Sequence, residues 1–427
     1  MEAKPGDIVE VVTKDENLKG TLMPSATGSI VVKLDSGYNV GIDQKNVKEI
    51  KILETLKTEK SPEYKMPEAK GLSTIVILHT GGTIASKVDY KTGAVVAKFT
   101  PEDIVKSIPE LRNIANFKSV LVSNLQSESM RFGHYNLIAE AIVRELEHKP
   151  KGIIITHGTD TLHYTSAALS FMLENIDLPV ILVGAQRSSD RGSSDAAINL
   201  ISAARFIANT DFKGVAICMH ASTNDDKCVI LPGTKARKMH TSRRDAFKAI
   251  NATPFAEVDY ETGKVNWINK NFYRPFASFK LMPIDEKVKV GIIKTHTHTQ
   301  PEDIAYFGNH KGLIVEGTGL GHSATTAFDE ISKINEKSKA ELAKIAKKGV
   351  VALTSQCIFG RVNMNVYSPQ KELLDIGVIP GLDMTTETAF IKLAWLLSNY
   401  PVDEARKMMI QNLRGELVER TEFEEEI

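Results

Sequence analysis

The run Ser73-Thr-Ile-Val-Ile-Leu-His79, passing straight into Thr80-Gly81-Gly82-Thr83-Ile84-Ala85, decides the fold. A second run, Gly152-Ile-Ile-Ile-Thr-His157, closes in the same way on Gly158-Thr159-Asp160-Thr161. Unbroken β-branched runs that end in glycine mark strands buried on both faces, as in a parallel sheet. Ligands of open parallel sheets bind just beyond the carboxyl ends of such strands. Two hydroxyl-bearing turns and a carboxylate delivered there by separate strands suggest a nucleophile and its activating partners.

Working outward, strand patterns alternate with helical ones from residue 73 onward. Leu137, Ile138, Ala141, Ile142 and Leu146 form a helical stripe within 134–148, and Leu162, Thr165, Leu169 and Met172 form another. Thr100-Pro-Glu-Asp103 reads as a helix start, with proline at the first helical position. Pro179–Gly184 and Gly214–Met219 read as strands, 195–209 as a helix, and 228–275 as hairpins with an irregular excursion. Alternation resumes at Val288–Ile293 and continues through Gly312–Glu316, a helix near 323–347, Gly349–Leu353, and helices at 384–398 and 402–413.

The first 53 residues differ. Asp7–Val12, Leu18–Met23, Ser29–Leu34, Tyr38–Ile42 and Val47–Ile52 are five short strand patterns without a helix, and Asp35-Ser-Gly37 is a hairpin turn. They suggest a small all-β, SH3-like barrel. The expected organisation is a barrel over 1–53, a linker over 54–71, a large α/β domain over 72–282 and a smaller α/β domain over 283–427. The linker assignment rests on Pro62, Pro67 and interspersed Lys and Glu.

Bulk properties narrow the function. The 427 residues are 42% hydrophobic and 25% charged, and 53 basic residues balance 53 acidic ones. A chain that holds nucleic acid by itself usually shows a basic excess or stripe. Three cysteines without a CxxC spacing disfavour a disulfide framework or a structural zinc site. No apolar run approaches the ~20 residues that span a bilayer, and the first residues lack an apolar signal region. A cytoplasmic, membrane-free protein is expected.

Competing readings of the motifs are specific. A lone Thr-Asp pair at a helix start is most often an N-cap. Thr80-Gly-Gly-Thr83 lacks the GK[ST] ending of a phosphate loop, and Gly317-Thr-Gly-Leu-Gly321 lacks the full dinucleotide fingerprint. No nucleotide site is expected in this chain. His296 and His298 would share one side of the segment if it were extended, but no third ligand is placed by spacing, and they read as surface or interface histidines rather than a metal site. The basic segment Lys235-Ala-Arg-Lys238 … Arg243-Arg244 could contact RNA phosphate, but such a run is usually a solvated loop, able to turn one lysine inward. The tail Glu419–Glu426 reads as a solvated acidic end.

Taken together, the two signatures Thr80-Gly-Gly-Thr83-Ile-Ala and His157-Gly-Thr159-Asp160-Thr resemble those of the L-asparaginase family of amidohydrolases. The resemblance runs over roughly residues 73–420, with the motifs in the same order. It implies an asparaginase-like two-domain α/β fold with parallel sheets. It also implies that Thr83 is the nucleophile, that Thr159 and Asp160 are its partners, and that Lys238 supplies the family lysine. Arg237 departs from the usual neighbour of that lysine. The family's substrate-carboxylate segment maps to Ser127-Glu128-Ser129-Met130, where Glu128 departs from the usual neutral residue, and its lid tyrosine maps to Tyr90.

The barrel, the linker and the stretch Gly184-Ala-Gln-Arg-Ser-Ser-Asp-Arg-Gly-Ser-Ser-Asp195-Ala-Ala are similar to one branch, the D-type subunits of archaeal glutamyl-tRNA(Gln) amidotransferases. That branch implies a glutaminase that releases ammonia from glutamine. A partner, the E-type subunit, then binds Glu-tRNA(Gln), activates the glutamyl group with ATP and Mg, and receives the ammonia. It implies a homodimer within a heterotetramer and no cofactor or metal in this chain. A free-standing cytosolic L-asparaginase with an accessory barrel is the alternative. A scaffold without chemistry is the third reading.

Overall fold

The computed structural model describes residues 3–4, 6–23, 25, 29–34, 38–55, 69–82, 86–88, 95–97, 108–187, 193–272 and 274–420. Most of the predicted linker, the predicted turn at 35–37, the predicted helix start at 100–103 and the tail from 421 lie outside these residues.

Strands β1 (Ile8–Thr13), β2 (Asn17–Met23), β3 (Ile30–Lys33), β4 (Asn39–Ile42) and β5 (Val47–Glu54) form an antiparallel sheet in the order β4-β3-β2-β1-β5. Period-two alternation in β1 turns Val9 and Val11 inward, where they meet Leu22, Val32 and Ile42. The β1–β5 pairing shifts register at both ends, and such bulges bend a short sheet toward closure. All five predicted strands are present.

The large sheet comprises β6 (Thr74–Gly81), β9 (Asn116–Leu125), β10 (Gly152–Thr156), β12 (Pro179–Val183), β13 (Gly214–His220), β14 (Lys227–Pro232), β17 (Ala256–Asp259) and β18 (Val265–Trp267). Their order is β18-β17-β14-β13-β12-β10-β6-β9. The section from β9 to β13 is parallel, and the hairpin strands beyond β13 pair antiparallel. Three two-stranded ladders complete it: β7 (Ser86–Val88) with β8 (Val95–Ala97), β11 (Leu173–Glu174) with β19 (Lys280–Leu281), and β15 (Ala236–Lys238) with β16 (Phe247–Ala249).

The unbroken hydrophobic runs have a direct cause. In β10, Ile153 and Ile155 pack into the core beneath helices α1 (Phe132–Leu146) and α2 (Leu162–Met172). Ile154 packs into the opposite core, beneath α3 (Ala196–Asn209). Every residue of β10 and β12 is buried. In α2, all four predicted stripe residues are buried. In α1, Ile138, Ala139, Ala141 and Ile142 carry the packing, whereas the predicted Leu137 is exposed.

The smaller sheet is wholly parallel and in chain order: β20 (Val290–Lys294), β21 (Gly312–Gly317), β22 (Val350–Ser355) and β23 (Val378–Pro380). Its helices are α4 (Pro301–Ala305), α5 (Ile334–Lys348), α6 (Ser368–Asp375), α7 (Thr386–Asn399) and α8 (Val402–Met408). One core runs through both α/β units. In it the rings of Phe171 and Trp395 stack with centroids 5.5 Å apart, and Trp395 Nε1 donates to the Met282 carbonyl at 3.1 Å.

Two expectations need correction. The helix predicted over 323–347 begins only at Ile334. Before it, Asp329 and Ser332 spend their side chains on a local turn, with Ser332 N–H donating to Asp329 Oδ1 at 2.7 Å. The last helix stops at Met408 rather than 413; beyond it the Met409 and Gln411 carbonyls accept from the buried Lys392 Nζ, and the Leu413 and Arg414 N–H groups donate to the Glu416 carboxylate. His296 and His298 are exposed just beyond β20, as surface histidines. No cluster of three potential metal ligands occurs among the described residues, and none of their helices is long and apolar enough to cross a membrane.

Candidate active site

From β6 the chain goes to β9 on one side, whereas from β10 it goes to β12 on the other. The carboxyl ends of β6 and β10 therefore flank the topological switch point, where an open parallel sheet leaves a crevice for ligand. Gly81 and Gly82 leave β6 at this point, and His157, Gly158, Thr159 and Asp160 leave β10. Gly82 and Gly158 face one another because of strand order.

Glycine makes their contact possible. Gly82 has φ +80, and a Cβ there would lie 2.4 Å from Gly158 N and 2.5 Å from its Cα. A Cβ on Gly158 would lie 2.8 Å from both Cβ and Oγ of Ser127. The turn after β9 is thus stacked on the turn after β10. Thr161 Oγ1 ties the two together by donating to the Ser127 carbonyl at 2.6 Å. Thr161, not Thr159 or Asp160, occupies the N-cap position of α2. The capping explanation for the Thr159-Asp160 pair fails.

Thr159 is buried at the base of the crevice, and Asp160 is exposed beside it. Lys238 reaches them from β15, donating from Nζ to Thr159 Oγ1 at 2.8 Å and to Asp160 Oδ1 at 2.7 Å. The remaining hydroxyl direction of Thr159 faces Gln186 Oε1 at 3.4 Å. Gln186 is in turn fixed by its backbone, since its N–H and that of Arg187 donate to the buried Asp195 carboxylate at 3.0 Å. A hydroxyl, an ammonium and a carboxylate in hydrogen-bonded series can move a proton.

Beneath this series the histidines are buried and neutral. Burial lowers His157 to about 4, with its hydrogen bond to the Gly158 carbonyl opposing, and lowers His79 to about 4. His157 Nδ1 donates to that carbonyl at 2.7 Å, so its Nε2 accepts from Thr165 Oγ1 at 2.8 Å. Burial, reinforced by Arg237 and Lys238, lowers His163 to about 3.

Of the residues predicted from sequence, Thr159, Asp160 and Lys238 are brought together, and Ser127 is buried one turn away. Glu128 is exposed. Thr83 and Tyr90 lie outside the described residues, as do residues 188–192 of the Gly184–Ala197 stretch. Lys235 is fully buried and pairs with Asp383, so two lysines of the basic segment turn inward. Arg243 pairs with Asp245, and Arg244 with Asp225. Gln186, His163 and Glu387 surround the site although the sequence patterns do not single them out. Gln186 stands within the Gly184–Ala197 stretch, but an acid in the first turn of α7 carries no sequence signal of burial.

Asp160, His163, Tyr164, Arg237, Lys238, His240 and Glu387 line a cavity of about 410 Å³ at this end of the sheet. A larger one, about 1060 Å³, lies at the opposite end against Gly214 and Pro232, and contains none of the predicted site residues.

Comparison with known proteins accords with this architecture. Residues 74–273 match the family model "Asparaginase, N-terminal", 289–409 match "Glutaminase/Asparaginase C-terminal domain", and 3–53 match "GatD N-terminal domain". A glutamyl-tRNA(Gln) amidotransferase D subunit from Methanococcus maripaludis is 45% identical over 98% of this chain and 99% of its own. The protein of the same description from Archaeoglobus fulgidus is 43% identical over 99% and 97%. Among solved structures, the thermostable L-asparaginase from Thermococcus kodakarensis superposes with a TM-score of 0.72 at 29% identity, covering 81% of this chain and all of that one. L-asparaginase I from Vibrio cholerae gives 0.69 at 29% identity, covering 82% and 100%. The chain belongs to the family of glutamyl-tRNA(Gln) amidotransferase D subunits and is built on an asparaginase-like amidohydrolase core.

Proposed function

We propose that this chain is the glutaminase component of a tRNA-dependent amidotransferase in the cytosol. The observation that carries the reading is Lys238 Nζ bridging Thr159 Oγ1 and Asp160 Oδ1 at the sheet's switch point. Full-length similarity to glutamyl-tRNA(Gln) amidotransferase D subunits supports the assignment to a complex rather than to a free enzyme.

In this mechanism the Thr83 hydroxyl attacks the side-chain amide carbon of glutamine. Its proton passes through Thr159, Lys238 and Asp160 to the leaving nitrogen. The C–N bond breaks, ammonia departs, and a glutamyl ester remains on Thr83. Water then adds to the ester, and the relay carries one of the water's protons to the Thr83 oxygen as glutamate leaves. By the family resemblance, Ser127, beneath Gly158, and the neighbouring Glu128 belong to the segment that receives the substrate's α-carboxylate, and Tyr90 is assigned the role of lid tyrosine.

The ammonia serves a partner of the E-subunit type, which holds Glu-tRNA(Gln), uses ATP and Mg, and forms Gln-tRNA(Gln). Two copies of each chain assemble in the working particle. Ammonia release from glutamine and from asparagine, measured with and without that partner and charged tRNA, tests the proposal. Glutamine turnover stimulated by partner and tRNA is the expected result. Partner-independent asparagine turnover that exceeds glutamine turnover would make the chain a free-standing asparaginase instead.

A further inference from the structure

Lys238 sits on a three-residue strand, too short for its ladder with β16 alone to hold a long side chain in one place. The segment around it is fastened elsewhere. Thr234 accepts at its carbonyl from Thr388 Oγ1 at 2.8 Å. The buried Lys235 pairs with the buried Asp383 and donates to the Asp383 carbonyl at 2.9 Å. Arg237 reaches Glu387 Oε1 at 3.1 Å. Asp383, Glu387 and Thr388 all belong to the start of α7 or the turn before it, in the smaller α/β unit. Three contacts along one short segment dock it onto that unit.

We propose that Arg237 and Glu387 are positioning residues for the amidase, acting through Lys238. This rests on reading the site as an amide-cleaving one. Glu387 is buried, its Oε2 has no hydrogen-bond partner among the described residues, and its other neighbour, neutral His163, lies 4.0 Å away. Arg237 is therefore the cation that keeps this carboxylate in place, and the carboxylate keeps Arg237 from swinging out. The residue preceding Lys238 is thereby anchored, and Nζ meets Thr159 and Asp160 without a search through lysine rotamers. In consequence the smaller unit, which contributes none of Thr159, Asp160 or Lys238, sets the geometry of the relay. A misplacement of about 1 Å can cost on the order of 10²-fold in rate.

The test uses the full-length chain assembled with its partner, and glutamine as substrate. Wild type, R237M, R237K, the isosteric E387Q and K238M are compared for kcat, KM and thermal midpoint. Arg237→Met and Glu387→Gln are expected to lower kcat about ten- to hundredfold, with KM within about twofold of wild type. Arg237→Lys, which restores the cation, should recover most of the loss. Full kcat in R237M and E387Q while K238M is dead would overturn the proposal and leave the amidase reading intact. So would a raised KM with kcat unchanged, which marks a substrate contact. Should wild type release no ammonia from any amide under any condition, the amidase reading fails and this proposal falls with it. Loss of folding in R237M leaves E387Q and R237K to decide.

Discussion

Lys238 Nζ donates to Thr159 Oγ1 at 2.8 Å, and Asp160 Oδ1 receives the same ammonium at 2.7 Å. Two residues 79 positions apart thus share a proton path, because the loop carrying Lys238 folds back over the switch point. Loss of Lys238 separates Thr159 from Asp160, and loss of either of those leaves the path one member short. Thr159→Val, Asp160→Asn and Lys238→Met are each expected to slow glutamine hydrolysis on the order of 10²-fold or more, without loss of the folded state by circular dichroism. A variant retaining a third of wild-type turnover would remove that residue from the path.

The contact between Gly82 and Gly158 leads to a stability prediction. Gly82→Ala puts a methyl group into the Gly158 backbone at a φ that L-residues avoid, and is expected to cost about 1–3 kcal/mol or more. Gly41→Ala has open space around it and serves as the control. Urea unfolding of the two variants measures the difference, and equal midpoints would mean that the two turns do not meet.

A pH dependence follows from His157. Its pKa in the fold is about 4, against an ordinary value of 6.5, with burial as the cause. The unfolded chain takes up the proton first, so this contribution to stability is complete above 6.5. It is lost as pH falls from 6.5 through 4. Within that window His157→Gln should flatten the stability profile by up to about 1.4 kcal/mol per pH unit. Unfolding measured at several pH values between 4 and 7 reads this directly, and an unchanged slope would show that His157 is not buried neutral.

Removing Lys235 from the buried pair leaves the Asp383 carboxylate with only longer contacts, to Arg361 at 3.6 Å and the Val418 N–H at 3.3 Å. Lys235→Met is expected to destabilise by about 3–5 kcal/mol. Lys344→Met, at the exposed pair with Glu341, should change the urea midpoint little. If both behaved alike, the smaller unit would not be fastened to the Lys238 segment through Asp383.

The parts legible in sequence are those where one physical demand dominates. The strands β6 and β10 showed themselves because both faces are buried, so no polar alternation interrupts Ile75–Leu78 or Ile153–Ile155. Helix α2 did so by its fully buried stripe, Thr159 and Asp160 stood in a motif at a strand end, and Lys238 was singled out only through the family resemblance. The late start of α5 was hidden because Ser332 and Asp329 compete locally with the helix backbone. The roles of Asp383 and Glu387 were hidden for a different reason. A carboxylate at a helix start ordinarily faces water, and only tertiary packing reveals that these two are buried against Lys235 and Arg237.

The most direct measurement compares two nitrogen donors in the assembled amidotransferase: formation of Gln-tRNA(Gln) with glutamine and with free ammonium, for wild type and for Lys238→Met. The expected result is that Lys238→Met loses the glutamine-dependent reaction and keeps the ammonium-dependent one at the wild-type rate. Undiminished use of glutamine by Lys238→Met, or equal loss with both donors, would contradict a dedicated glutaminase site built on Thr159, Asp160 and Lys238.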